Sequence, residues 1–158
     1  KSVIPTGTFH VTVLGPDGKP TPSRIYITAS DGRGYAPEGG FYRSIAATGT
    51  PYFFTTGTFD VDVPAGQTHI EALKGYEYRP SSVKIDVAAG GTKSVTIRLA
   101  RLADLPARDW YSGDTHVHDL HQGRFGLTHE TFFDELRAED IHVTNGLIHM
   151  DGTRIMGR

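Results

Sequence analysis

Apolar and polar positions alternate in short runs through the first hundred residues. In Phe9-His10-Val11-Thr12-Val13-Leu14 the character changes at almost every step, which is the period of a strand with one face buried and one wet. Gly15-Pro16-Asp17-Gly18 closes that run as a turn. Arg24 to Thr28 is a second predicted strand, stopped by Asp31-Gly32. Gly57 to Val63 places Phe59, Val61 and Val63 on one face and Asp60 and Asp62 on the other, and Pro64-Ala65-Gly66 ends it. Gln67 to Lys74 carries Ile70 and Ala72 on a single face; Val83–Val87 and Ser94–Leu99 alternate across Ala89-Gly90-Gly91. Period-two runs with Gly and Pro punctuation predict a mainly β chain, an antiparallel sandwich with one solvated face per sheet. His10 and His69 fall inside these runs as ordinary strand residues. Asp60 and Asp62 read as a solvated strand face rather than a paired-carboxylate site.

From Ser30 to Thr56 the pattern changes. Gly34, Gly39, Gly40, Gly49, Pro37 and Pro51 are interleaved with Tyr35, Phe41, Tyr42, Tyr52, Phe53 and Phe54. The stretch reads as a long loop, and long loops inside compact domains are often functional or interfacial. Two roles are open for its aromatic residues: covering one end of the sandwich, or forming a contact surface for a partner or a second domain, which Tyr76, Tyr78 and Arg79 would extend.

The texture changes again after Arg101. Residues 101–109, with Pro106 in the middle, read as a linker. Residues 110–158 predict a strand near Trp110–His118, a helix over Thr128–Asp140 and another strand from Ile141. Thr128 is the expected N-cap, Glu130 complements the helix dipole, and Phe132, Phe133 and Leu136 form an apolar stripe. Strand, helix, strand is the opening of a parallel βαβ unit, which calls for further strands.

Length and charge narrow the possible partners. The 158 residues carry 16 basic and 18 acidic side chains, a net charge of −2. Nucleic acid and anionic membrane both call for a basic field, so neither is expected as the main partner. No apolar run approaches a membrane span. The absence of cysteine removes disulfides, thiol catalysis and thiolate metal sites. The sequence opens on Lys1 and shows no signal-peptide pattern, so it reads as a processed or trimmed product.

Histidine is where chemistry is expected. Two of the eight histidines lie in the first 115 residues and six between His116 and His149. In Asp114-Thr115-His116-Val117-His118, residues two apart on a strand project from one face. A carboxylate and two imidazoles suit a divalent ion such as zinc, manganese or iron. Asp114, His116 and His118 are therefore candidate metal ligands, with His121 and His149, and also His129 and Glu130, joining if the chain folds back. His142 reads as structural or solvent-facing. There is no GxSxG elbow, phosphate-binding glycine loop or HExxH, and the catalytic residues stay unassigned.

Two family resemblances rest on these motifs. Gly57-Thr58-Phe59, Pro64-Ala65-Gly66 and Gly75-Tyr76 make residues 7–99 resemble the carboxypeptidase-regulatory, transthyretin-like sandwich, a domain of 1–100 with an Ig/transthyretin-like architecture. Trp110-Tyr111-Ser112-Gly113-Asp114-Thr115-His116-Val117-His118, with Ala138-Glu139-Asp140-Ile141, resembles the start of CehA/McbA-type metallohydrolases of the PHP superfamily. That resemblance implies that His116 and His118 ligate a catalytic metal at the end of the first barrel strand, with Asp114 beside them. It also implies a barrel whose remaining strands supply the other ligands and the base.

Two functions follow as expectations. One is the N-terminal portion of a secreted or periplasmic metal-dependent hydrolase of phosphoesters or amides, not catalytic by itself and partnered by the missing barrel. The other is a non-catalytic binding or assembly module. Neighbouring copies would complete its strand edges into a homo-oligomer or filament, and the histidine cluster would hold a structural ion.

Overall fold

The computed structural model describes residues 4–40, 42–44, 49–118 and 128–147. Eight strands form the sandwich: β1 (Thr6–Leu14), β2 (Ser23–Thr28), β3 (Tyr42–Ser44), β4 (Pro51–Thr55), β5 (Thr58–Pro64), β6 (Gly66–Leu73), β7 (Ser81–Val87) and β8 (Thr92–Arg98). A 3-10 turn at Pro106–Arg108 leads to β9 (Gly113–His118), helix α1 (His129–Ala138) and β10 (Val143–Leu147).

Two sheets face each other, one ordered β5-β1-β8 and the other β3-β4-β2-β6-β7. The alternation anticipated from sequence supplies the core: Phe9, Val11 and Val13 from β1 meet Ile25 and Ile27 from β2, Ile70 from β6 and Ile97 from β8. Fully burying each such side chain contributes about 1.5–3 kcal/mol. Phe53 of β4 packs edge-on against Phe59 of β5, with ring centroids 5.0 Å apart.

The expectation of an antiparallel sandwich requires correction at one pairing. β1 runs antiparallel to β5 but parallel to β8, in register from Thr8↔Thr92 to Leu14↔Arg98. The turn after β7 explains the direction. Gly90 N donates to Thr6 O at 2.8 Å and Thr8 N donates to Gly91 O at 2.9 Å, so β8 starts beside the start of β1.

The long loop expected over Ser30–Thr56 is also corrected, because it contains β3 and β4. Aromatic residues fit a pleated, half-buried surface, and Pro51 stands at the first position of β4, where the missing N–H is tolerated. Phe53 lies in the core, while Tyr52 and Phe54 belong to a cation-lined outer face described below.

β9 and β10 pair in parallel with α1 between them in the chain, so the predicted βαβ arrangement is observed. The helix is set by its cap. Thr131 N donates to Thr128 Oγ1 at 3.2 Å and Thr128 N donates to Thr131 Oγ1 at 2.9 Å, a reciprocal capping box. Phe132 and Ala138 are buried, whereas Phe133 of the expected apolar stripe is 48% exposed.

Candidate functional site

The metal motif lies on β9, as its sequence predicts, but its alternation does not hold. Thr144 pairs with Asp114 and Gly146 pairs with Val117, so three steps on β9 match two on β10. This extra residue is a bulge, and it breaks the strict two-residue period that was to align Asp114 with His116. Asp114 Oδ1 accepts the main-chain N–H of His116 at 2.9 Å, a local turn-like contact. Both side chains are exposed.

The backbone of His118 ends β9, but its side chain, together with His121 and His149, lies outside the described residues. His129 opens α1 and Glu130 follows it, both exposed. Among the described residues no group of three His, Asp or Glu side chains gathers to hold a metal. His142 is exposed, with Nδ1 2.8 Å from Ser112 Oγ. His10 and Asp60 form a surface pair, Nδ1 to Oδ1 2.5 Å.

The more developed polar structure is one that sequence reasoning missed: the junction between the sandwich and the βαβ segment. Helix α1 lies against β2 and β4. On the outer face of that sheet Arg24 sits over Tyr26 and Tyr52, at 5.8 and 5.7 Å from the ring centroids, and its Nε is 3.3 Å from Glu139 Oε1. Arg43 lies over Phe54 and pairs with Glu135. The sequence predicts a strand over Arg24 to Thr28, but nothing local shows that a helix covers its outer face.

Lys74 and Gly75, at the end of β6, form the tightest part of the junction. Lys74 is buried. Its Nζ donates to the carbonyls of Pro22, at 3.2 Å, and of Arg137, and lies 3.9 Å from Asp140 Oδ1. A cation at the last turn of α1 satisfies carbonyls that the helix leaves open and complements its dipole. Gly75 adopts φ +47, and a Cβ there would stand 2.6 Å from Asp140 Cβ and 2.7 Å from Glu139 O. Only glycine fits that approach.

The predicted linker is held to the same place. Glu77 O accepts from Leu102 N at 2.6 Å, Glu77 Oε2 accepts from Leu105 N at 2.9 Å, and Arg101 reaches both Glu77, at 3.5 Å, and Asp140, at 3.4 Å. Arg101 also covers the Tyr78 ring at 5.1 Å. Burial shapes the charges here. It pushes Lys74 below its usual range, with Asp140 pulling back and Arg101 adding to the fall. It pushes Glu135 and Glu139 above theirs, opposed by Arg43 for the first and by Arg24 and Lys74 for the second.

The fold is thus a mainly β sandwich carrying a short parallel βαβ unit. No family model matches the chain, and no curated protein matches it significantly. Among solved structures it is similar to GBS52, the minor pilin of the gram-positive pathogen Streptococcus agalactiae: 15% identity, TM-score 0.48, covering 65% of this chain and 47% of that one. It is also similar to the TIE protein of Bacillus anthracis, with 11% identity, TM-score 0.42, and 60% and 16% covered. For the pilus-presented adhesin Spy0125 (Cpa) the values are 14%, 0.32, 63% and 27%. The chain spans less than half the length of each of these structures.

Proposed function

We propose that this chain is a non-catalytic β-sandwich module that assembles with neighbouring copies of itself by strand addition at the β9–β10 pair. One observation carries this reading. Among the described residues β9 and β10 form a two-stranded parallel sheet, with Gly113 to His116, Val143, Asn145 and Gly146 exposed. Parallel sheets ordinarily have more strands and covered faces, and two strands alone are marginal. An open edge of this kind takes up an added strand. The sandwich has its own core, so association completes the small sheet only. A surface or extracellular setting, including the periplasm, suits such a module.

Light scattering across a wide concentration range tests it. Association that grows with concentration, with new amide-exchange protection in β9 and β10, is the expected result. A monomer at every concentration, with or without divalent metal, overturns the reading.

A second reading is favoured by the placement of Asp114-Thr115-His116-Val117-His118 on the first strand of a parallel βαβ unit. In it the chain is the N-terminal part of a PHP-like metal-dependent hydrolase, with a carboxypeptidase-regulatory-like sandwich. Its divalent ion, zinc, manganese or iron, is held by Asp114, His116 and His118 together with ligands from His121, His149 or a barrel. Calorimetric titration with zinc and manganese tests it: binding weakened about tenfold by His116→Ala and by His118→Ala supports it, and absence of binding removes the ion from the account.

A further inference from the structure

On the solvent side of the junction lies a cleft of about 560 Å³, within the range of small-molecule sites. Three aromatic side chains on its wall are turned out to water rather than packed: Tyr76 at 103% exposure, Trp110 at 72% and Tyr111 at 58%. Exposed rings clustered around one concavity are surface held ready for a guest. The wall is also held in place. Trp110 N donates to Leu105 O at 3.1 Å, and Tyr111 stands edge-on to His142 at 5.7 Å. Ser112 Oγ meets both His142 Nδ1, at 2.8 Å, and the carbonyl of Asp140.

The polar part of the lining identifies the chemistry of the guest. Glu77, Asp114, Glu139 and Asp140 line the cleft with Ser112, and neither lysine nor arginine is among the lining residues, which disfavours an anion. Three of the carboxylates are already matched from behind the wall: Glu77 and Asp140 by Arg101 at 3.5 and 3.4 Å, and Glu139 by Arg24 at 3.3 Å. Their charges are therefore largely neutralised, and a cationic guest gains little from them. Their remaining lone pairs accept hydrogen bonds from neutral hydroxyl donors. Flat rings beside hydroxyl-accepting oxygens suit a ligand with an apolar face and a hydroxylated rim.

We propose that this cleft binds a sugar unit of a neutral glycan, its ring face stacked on Trp110, Tyr111 or Tyr76 and its hydroxyls donating to the exposed carboxylate of Asp114. The cleft shares Gly113 and Asp114 with the start of β9, but its aromatic wall lies outside that strand, so sugar binding is measured on the dilute chain and does not depend on assembly. Trp110 is the single tryptophan of the chain, so its emission reports on the cleft directly.

The test titrates the full chain with cellobiose, chitobiose, maltose and, in a separate arm, pentalysine. The expected result is a saturable change in Trp110 emission with at least one disaccharide, in the millimolar range. It should weaken about tenfold in Tyr76→Ala, the size of one lost aromatic contact, and weaken likewise in Asp114→Asn. Both side chains are exposed, so neither change threatens folding. No saturable change with any of the three disaccharides overturns the proposal. So does a signal that both variants leave intact, or binding of pentalysine alone, which would make the cleft a site for a cationic peptide.

Discussion

Lys74 Nζ donates a hydrogen bond to the main-chain carbonyl of Arg137, so the end of a sandwich strand caps the end of helix α1. The two parts of the chain are joined through a buried cation at a helix C-terminus, with Arg24–Glu139 and Arg43–Glu135 on one side and Arg101–Asp140 on the other. Lys74→Met keeps the length of the stem and removes the Nζ donor to Pro22 O and Arg137 O while leaving the three arginine pairs in place. Because it leaves the Arg137 and Pro22 carbonyls without their partner, it is expected to cost about 1–3 kcal/mol in urea unfolding at neutral pH.

Gly75→Ala tests the closeness of the same contact. The new methyl would fall within 2.6 Å of Asp140 Cβ at a φ of +47, so both sterics and backbone conformation oppose it. A loss of about 1–3 kcal/mol is expected, with amide protection in α1 falling more than in β1. Unchanged protection in α1 would show that the helix does not rest on Gly75.

The junction also predicts two opposite pH dependences. Glu135 and Glu139 have folded-state values raised above the ordinary 4.5 by burial, so the folded chain holds more protons than the unfolded one just above that pH. Their contribution to stability is fully present below 4.5 and is lost as pH rises through the raised values. The stability of wild type relative to Glu139→Gln should accordingly fall as pH is taken upward from 4.5. Lys74 is lowered from 10.5, so the unfolded chain binds the extra proton, and stability relative to Lys74→Met should rise as pH climbs towards 10.5. Denaturant titrations at several pH values check both slopes, and a flat or reversed slope in either series contradicts the corresponding burial.

Helix α1 depends on its first turn. Thr128→Ala removes the half of the capping box that Thr131 N donates to Thr128 Oγ1 at 3.2 Å, leaving the Thr128 N–H bond to Thr131 Oγ1 in place, and should cost about 1 kcal/mol. Thr128→Asn, another good cap residue, should restore most of it, which separates capping from packing.

Phe9 to Leu14 and Gly57 to Val63 announced their strands because one face meets a core and the other meets water. The strand at Pro51–Thr55 was hidden, since Tyr52, Phe53 and Phe54 are all apolar: Phe53 enters the core while its two neighbours serve the outer face. Alternation looks the same in parallel and antiparallel pairs, so the direction of β8 against β1 left no local trace. The helix was legible from Thr128 and its stripe. The junction was not, because Arg24 and Glu139 become neighbours only through tertiary packing. At the candidate metal site, the sequence placed Asp114 and His116 on one strand correctly, but the bulge that spoils their alignment comes from pairing with β10 rather than from any residue of β9.

The parallel pairing of β1 with β8 has a mechanical consequence. The chain enters β1 at Thr6 and leaves β8 at Arg98, and the two strands run side by side from Thr8↔Thr92 to Leu14↔Arg98. Tension applied across the sandwich draws these strands in opposite directions along their length. Their evenly spaced bonds then bear the load together in shear instead of parting one after another like a zip.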